Sequence, residues 1–138
     1  MKWVFRPDEG MIYFWVALGG GIGSVARLWL GVQVTLLTGL RFPWGTILVN
    51  IIGSLVIGFV ATLTGPNGRV VVPVNAQAFV MVGLCGGFTT FSAFSLQTVE
   101  LARDGRLLYA GANIMLSVVL CLTAVALGHW LAALFGRA

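Results

Sequence analysis

Apolar residues form four long runs along the chain, and short polar segments separate them. The runs extend over about residues 11–37, 44–63, 74–101 and 107–135. A helix needs about 20 apolar residues to cross the hydrocarbon core of a bilayer, and each run is long enough. The segment Thr64-Gly65-Pro66-Asn67-Gly68 is a strong turn signal between the second and third runs. The pattern therefore predicts an all-α protein with four membrane-spanning helices.

The composition agrees with a membrane protein. Hydrophobic residues make up 59% of the chain and charged residues 9%, whereas a soluble domain has about 25% charged residues. Four spans and their loops account for residues 1–138, so a single transmembrane domain is predicted. Lys2 and Arg6 precede the first run, as they would in a signal peptide. That run is too long for such a peptide and has no clear cleavage site, so we interpret it as a retained span.

Positive charges are almost balanced between the two sides of the predicted membrane. The side with both termini and the loop between the second and third spans carries four: Lys2, Arg6, Arg69 and Arg137. The other side carries three: Arg41, Arg103 and Arg106. Such a small difference allows either one fixed topology or insertion in both orientations, which would permit an antiparallel pair. The charges do not cluster, so binding of nucleic acid is not predicted.

The third run contains residues that are unusual in a lipid-facing helix. Gly86, Gly87, Thr89 and Thr90 lie near its midpoint. Glycine weakens a helix, and a threonine hydroxyl competes for backbone hydrogen bonds. One interpretation is a helix broken at the membrane centre, whose freed carbonyls could bind a cation. The alternative is an intact helix whose glycines allow close packing.

Two phenylalanines, Phe91 and Phe94, follow this segment and share one helical face. The edge of a phenyl ring carries partial positive charge, so ring edges in a narrow pore would favour an anion. Packing in the core is the alternative interpretation. Ser92 and Ser95 add hydroxyl donors on a neighbouring face.

Polar stripes occur in two further runs. In the second run, the stripe contains Thr46 and Asn50, and the Asn50 amide needs a partner inside a membrane. That partner is either a neighbouring helix or a passing anion. In the fourth run, the stripe consists of Asn113, Ser117, Cys121, Ala124 and Gly128. It is either a helix interface or a pore wall.

Arg27 lies within or near the end of the first run. Its side chain could extend to the membrane surface, attract anions into a vestibule, or pair with Glu100. No carboxylate lies in the middle of a run, since the four acidic residues are at run ends or in loops, and this argues against proton-coupled transport. The two cysteines, Cys85 and Cys121, lack the spacing of a zinc site, and no catalytic pattern is present. The chain is therefore not predicted to be an enzyme.

Three segments together resemble the bacterial fluoride channel family called Fluc or CrcB. They are Gly23-Ser24-Val25-Ala26-Arg27, Gly45-Thr46-Ile47-Leu48-Val49-Asn50 and Gly86-Gly87-Phe88-Thr89-Thr90-Phe91-Ser92-Ala93-Phe94-Ser95. The third segment is the most specific, and the resemblance covers nearly the whole chain. It implies a dual-topology, antiparallel homodimer in the bacterial inner membrane, with two fluoride pathways along the subunit interface. It also implies passive export of fluoride down its electrochemical gradient, which lowers cytoplasmic fluoride.

The resemblance also implies roles for individual residues. The fluoride pathway is expected to comprise Asn50, Phe91, Phe94, Thr46, Ser92, Asn113 and Ser117. Arg27 corresponds to the arginine of the first span. A structural sodium ion is expected at the dimer centre, held by the backbone carbonyls of Gly86 and Thr89 from both subunits, with no organic cofactor.

The sequence departs from the family pattern at three positions. Gln97 replaces a frequent glutamate, Asn113 a common tyrosine and Ala93 a frequent threonine. The differences fall outside the central phenylalanine and asparagine positions.

Two alternative functions agree less well with the sequence. A small multidrug exporter would need a carboxylate in the first span, which is missing, and a non-conducting membrane scaffold would leave the polar stripes without a purpose.

Overall fold

The computed structural model describes residues 11–65, 68 and 70–135. Lys2, Arg6, Arg69 and Arg137 from the charge count lie outside these residues, as do Pro66 and Asn67 of the predicted turn. Within the described part of the chain, the regular structure is entirely helical. The helices are α1 (Ile12–Thr38), α2 (Trp44–Thr64), α3 (residues 74–88), α4 (Phe91–Arg103) and α5 (Leu107–Phe135).

Four helical segments are long and apolar enough to cross a membrane: Ile12–Thr38, Trp44–Thr64, Val74–Arg103 and Leu107–Phe135. Their number confirms the prediction. The largest difference from the predicted boundaries is at the end of the third span, which reaches Arg103 instead of Leu101. The loops on that side turn at Gly39 and Gly105, whose φ angles of 79° and 75° suit glycine.

The third span consists of α3 and α4, separated by two residues with extended backbone. Thr89 has φ −80° and ψ 157°. Thr90 has φ −150° and ψ 111°. Gly86 and Gly87, which the sequence suggested as part of a weakened segment, remain helical in Gly86–Phe88. Before them, Ala78–Cys85 is wound as a π-helix, a form that often occurs near functional sites.

The glycines serve close packing between helices. Helix α1 packs closely against α3, and α2 against α5. A Cβ atom added at Gly23 would collide with the Leu84 carbonyl of α3, and one added at Gly128 would collide with the Leu55 carbonyl of α2. Small residues therefore let these backbones approach each other, as is common between membrane helices.

Large apolar side chains cover the outer surface of this bundle. Leu28, Leu37 and Leu108 are 69%, 86% and 88% exposed. Such a surface is suited to lipid or to another membrane-embedded chain. The buried polar residues of the described part are Thr90, which is one of the extended residues of the third span, and Asn113 and Ser117 of α5.

Candidate functional site

Two cavities meet at Thr90. The first, which we call the Arg27 cavity, has a volume of about 650 Å³, and its lining includes Ser24, Arg27, Thr46, Thr90, Ala93 and Gln97. The second, which we call the Phe94 cavity, has a volume of about 390 Å³, and its lining includes Asn50, Thr90, Phe91, Phe94, Ser117 and Cys121. Because Thr90 belongs to both walls, the extended residues lie between the two cavities.

The Asn50 side chain forms hydrogen bonds with both the N–H and the carbonyl of Thr90. The Thr90 N–H donates to Asn50 Oδ1 at 2.7 Å. Asn50 Nδ2 donates to the Thr90 carbonyl at 3.1 Å. The N–H of Thr90 fixes the amide orientation, since only the oxygen of the amide can accept from it. One hydrogen on Nδ2 is not used by this pair of bonds and can serve another acceptor.

The Thr90 side chain caps the start of α4. Its hydroxyl oxygen accepts a hydrogen bond from the N–H of Ala93 at 3.1 Å and lies 3.2 Å from Ser92 Oγ. This is the usual arrangement for threonine at a helix N-terminus. The sequence analysis did not single out this role. A threonine directly before an apolar helical repeat is the signal that could have found it.

These two contacts divert hydrogen bonds that a continuous helix would make. In such a helix the Thr90 N–H would donate to the Gly86 carbonyl, and the Ala93 N–H to the Thr89 carbonyl. Instead they donate to Asn50 and to the Thr90 hydroxyl. In the described part of the chain, no other donor reaches these two carbonyls. Gly86 is exposed and Thr89 half-buried.

The two phenylalanines of α4 are buried to very different degrees. Phe94 is 9% exposed and Phe91 is 79% exposed. Their ring centroids are 5.3 Å apart, with planes inclined at 51°. Both line the Phe94 cavity. One chain alone therefore leaves a wall of this cavity open at Phe91.

The polar residues of α5 form a hydrogen-bonded chain that leads to α4. Asn113 is fully buried, and its Nδ2 donates to Thr98 Oγ1 at 2.8 Å. The Thr98 hydroxyl donates to the Phe94 carbonyl at 2.7 Å. Ser117 Oγ lies 3.5 Å from Asn113 Oδ1. Of these, Ser117 lines the Phe94 cavity, whereas Asn113 ties α5 to α4 behind it.

The remaining predicted residues lie elsewhere. Arg27 and Thr46 both line the Arg27 cavity. Of the described residues that line it, Arg27 is the one with a charged side chain. Glu100, a possible partner of Arg27 in the sequence, lines a separate cavity near the loops. Ser92 is exposed and contacts Thr90. The structure thus brings Asn50, Phe91, Phe94 and Ser117 together, while Thr46 and Arg27 lie beyond Thr90.

Comparison with known proteins gives a match over nearly the whole chain. Residues 14–129 match the family described as "CrcB-like protein, Camphor Resistance (CrcB)". A protein named "Fluoride-specific ion channel FluC" from Rhodospirillum rubrum is 56% identical over 119 residues, which are 86% of this chain and 92% of that protein. A protein of the same name from Paramagnetospirillum magneticum is 51% identical over 127 residues, which are 92% of this chain and 99% of that protein.

Proposed function

Because the chain belongs to the CrcB family, we propose that it is a fluoride-selective channel through which fluoride leaves the cell passively. The observation that carries this proposal is the Phe94 cavity. The residues that line it in the described part of the chain offer amide, hydroxyl and aromatic groups but no charged side chain. The identity of the ion comes from the relatives, which are named as fluoride-specific channels and match this chain over most of its length.

The proposed pathway passes through both cavities. Arg27 attracts anions into the first cavity, where water and the Thr46 hydroxyl surround them. Beyond Thr90, the spare N–H of Asn50, the Ser117 hydroxyl and the edges of the phenyl rings replace water around the ion. Each of these groups is a weak partner, so the ion can also leave.

The transport needs no coupled energy source. In acidic surroundings, hydrogen fluoride diffuses into the cell and dissociates there. The membrane potential, negative inside, then drives the fluoride anion outward through the channel. This direction places the protein in the inner membrane of a bacterial cell, with fluoride and lipid as its partners and no nucleic acid.

We further propose that two antiparallel copies form the channel. Phe91 is 79% exposed in one chain, and the exposed Gly86 carbonyl lies in the middle of a membrane span without a helical donor. Irregular backbone at membrane depth must be covered by protein or by a water-filled cavity. A second copy would cover both residues and close the Phe94 cavity. The balanced positive charges suit insertion in both orientations.

The site also fits the structural sodium ion that the resemblance implies. Hard cations prefer oxygen ligands, and unwound backbone carbonyls bind sodium in other membrane proteins. The carbonyls of Gly86 and Thr89, whose helical donors are diverted, would hold the ion together with those of the second copy. When bound, the ion supplies positive charge at the centre of the dimer and links the two extended segments.

Fluoride efflux from liposomes tests the proposed function. We expect rapid, valinomycin-dependent release of fluoride from vesicles that contain the purified protein, measured with a fluoride electrode, and little release of chloride. Valinomycin is required because uncompensated anion movement would stop at once. Release of neither ion from a folded dimer would contradict the proposal and favour a membrane scaffold, and equal release of both ions would contradict fluoride selectivity.

A further inference from the structure

We infer that Asn50 and Thr90 position the cation site by keeping the carbonyls of Gly86 and Thr89 free of helical hydrogen bonds. This inference rests on the proposed channel with its sodium ion and adds the device that forms the site. It gives Asn50 a role in addition to a contact with the passing anion.

Two backbone donors of the third span have lost their helical acceptors. A continuous helix across residues 86–93 would use the N–H groups of Thr90 and Ala93 to satisfy Gly86 and Thr89. Both groups have found substitute acceptors in side chains: Asn50 Oδ1 at 2.7 Å and Thr90 Oγ1 at 3.1 Å. Because side chains now accept these hydrogen bonds, α3 and α4 gain no backbone hydrogen bonds by forming one continuous helix. The same diversion leaves lone pairs on the two carbonyls that the cation site requires.

The Asn50 side chain keeps Thr90 in its extended conformation. Its amide bonds both the N–H and the carbonyl of Thr90, so the extended conformation of this residue is held from a different helix. A leucine or alanine at this position could do neither. In a membrane, the Thr90 N–H would then have to find another acceptor, and the Gly86 carbonyl is the acceptor that helix geometry offers.

Asn50 and Thr90 support the cation site without being cation ligands themselves. The oxygen of the Asn50 amide accepts from the Thr90 N–H, and an acceptor oxygen cannot bind an anion. Thr89 directs its own side chain back to the Cys85 carbonyl at 2.9 Å, which leaves the Thr89 carbonyl as the group available to a ligand. Asn50 and the Thr90 hydroxyl are therefore positioning residues for the cation and need not touch it.

Thermal unfolding of the full-length protein in detergent, with sodium chloride titrated against potassium chloride at constant ionic strength, tests this inference. For the unmodified protein we expect Tm to rise with sodium. In Asn50→Ala and Thr90→Val, the sodium concentration at half of this rise should increase about tenfold, as is typical when residues that support metal ligands are removed. Thr90→Ser should behave as the unmodified protein, because serine keeps the hydroxyl that accepts from Ala93.

Asn113→Ala is the matched control, because Asn113 is also a buried amide that joins two helices but lies away from the extended residues. It should lower Tm equally in both salts and keep the sodium midpoint. If Asn50→Ala does not fold, the pair Thr90→Val and Thr90→Ser still decides the matter. An unchanged sodium midpoint in both Asn50→Ala and Thr90→Val would overturn the inference, as would the lack of any sodium effect on the unmodified protein. If sodium raises Tm but the protein releases no fluoride from liposomes, the proposed channel function is contradicted and the inference about the cation site is not.

Discussion

In the proposed channel, single side chains of the Phe94 cavity would offer an anion several partners that are each weak. Phe94 is the buried member of the phenylalanine pair, and its carbonyl is also the end of the hydrogen-bonded chain from Asn113. The backbone at Phe94 is therefore tied to α5, and the Phe94 side chain lines the cavity. A rigid ring edge is a better partner for a small anion than a mobile one, because no ordering is needed when the ion arrives.

Phe94→Ile should lower fluoride efflux by about tenfold or more, because isoleucine fills similar volume but has no positive ring edge. The measurement is the same liposome efflux, with dimer content checked by size-exclusion chromatography. Phe14→Ile is the matched control, since Phe14 is 57% exposed on the outer face of α1. Normal efflux through the Phe94 variant would remove the ring edge from the mechanism.

Asn50→Asp should suppress fluoride entry by about tenfold or more, because an ionised carboxylate in the wall of the Phe94 cavity repels an anion. Aspartate retains an acceptor for the Thr90 N–H, so the extended backbone should persist. The efflux in excess of that from protein-free vesicles at the same pH, which release hydrogen fluoride by diffusion, should recover in part when the pH is lowered, since protonation removes the charge. Undiminished efflux at neutral pH would mean that the anion does not pass close to Asn50.

At the scale of helices, the sequence predicted the number and the approximate boundaries of the four spans. It predicted the internal structure of the third span less well. Four runs of apolar residues were enough for the number and length of helices, because bilayer thickness sets both. The role of Asn50 was harder to predict, since its partner Thr90 lies 40 positions away and is contacted through its main chain. The π-helix Ala78–Cys85 has no side-chain signature within its apolar run. Packing explains why Gly87 is a glycine, since a Cβ there would collide with the Gly20 carbonyl of α1.

The contact between α2 and α5 gives a prediction at this scale. Gly128→Ala should destabilise the protein by about 1–3 kcal/mol, because the added methyl group would collide with the Leu55 carbonyl and push two backbones apart. Gly111→Ala is the control on the same helix, where a Cβ meets nothing within 4 Å. It should leave stability unchanged or raise it slightly. Equal Tm values for both variants, measured in detergent, would show that α2 and α5 can separate at no cost.

The whole molecule, as one chain, is incomplete at its centre. Gly86 and Phe91 are exposed on either side of the extended residues, while the outer surface is suited to lipid. The sequence suggested a second copy through balanced charge and family resemblance. The surface that a second copy would cover in the proposed dimer is the one that carries these two residues, and only the packing of the helices reveals it.

Dual topology can be tested with a single cysteine at Arg41, in a background where Cys85 and Cys121 are replaced by serine. Arg41 is exposed in the loop between α1 and α2. A membrane-impermeant thiol reagent should label about half of the protein in intact cells and the rest after permeabilisation, because the small charge difference sets no fixed orientation. Labelling of all or none in intact cells would establish one topology and contradict the antiparallel dimer.

The interruption at Thr89 and Thr90 has a further electrical consequence. An α-helix carries roughly half a positive charge at its N-terminus and half a negative charge at its C-terminus. Because α3 ends and α4 begins within these residues, both partial charges lie next to each other in the middle of the membrane span. The carbonyl end of α3 favours a cation, and the N–H end of α4, which carries Phe91 and Phe94, favours an anion. Two helix dipoles can thus attract ions of both signs at a depth where charged side chains would be costly.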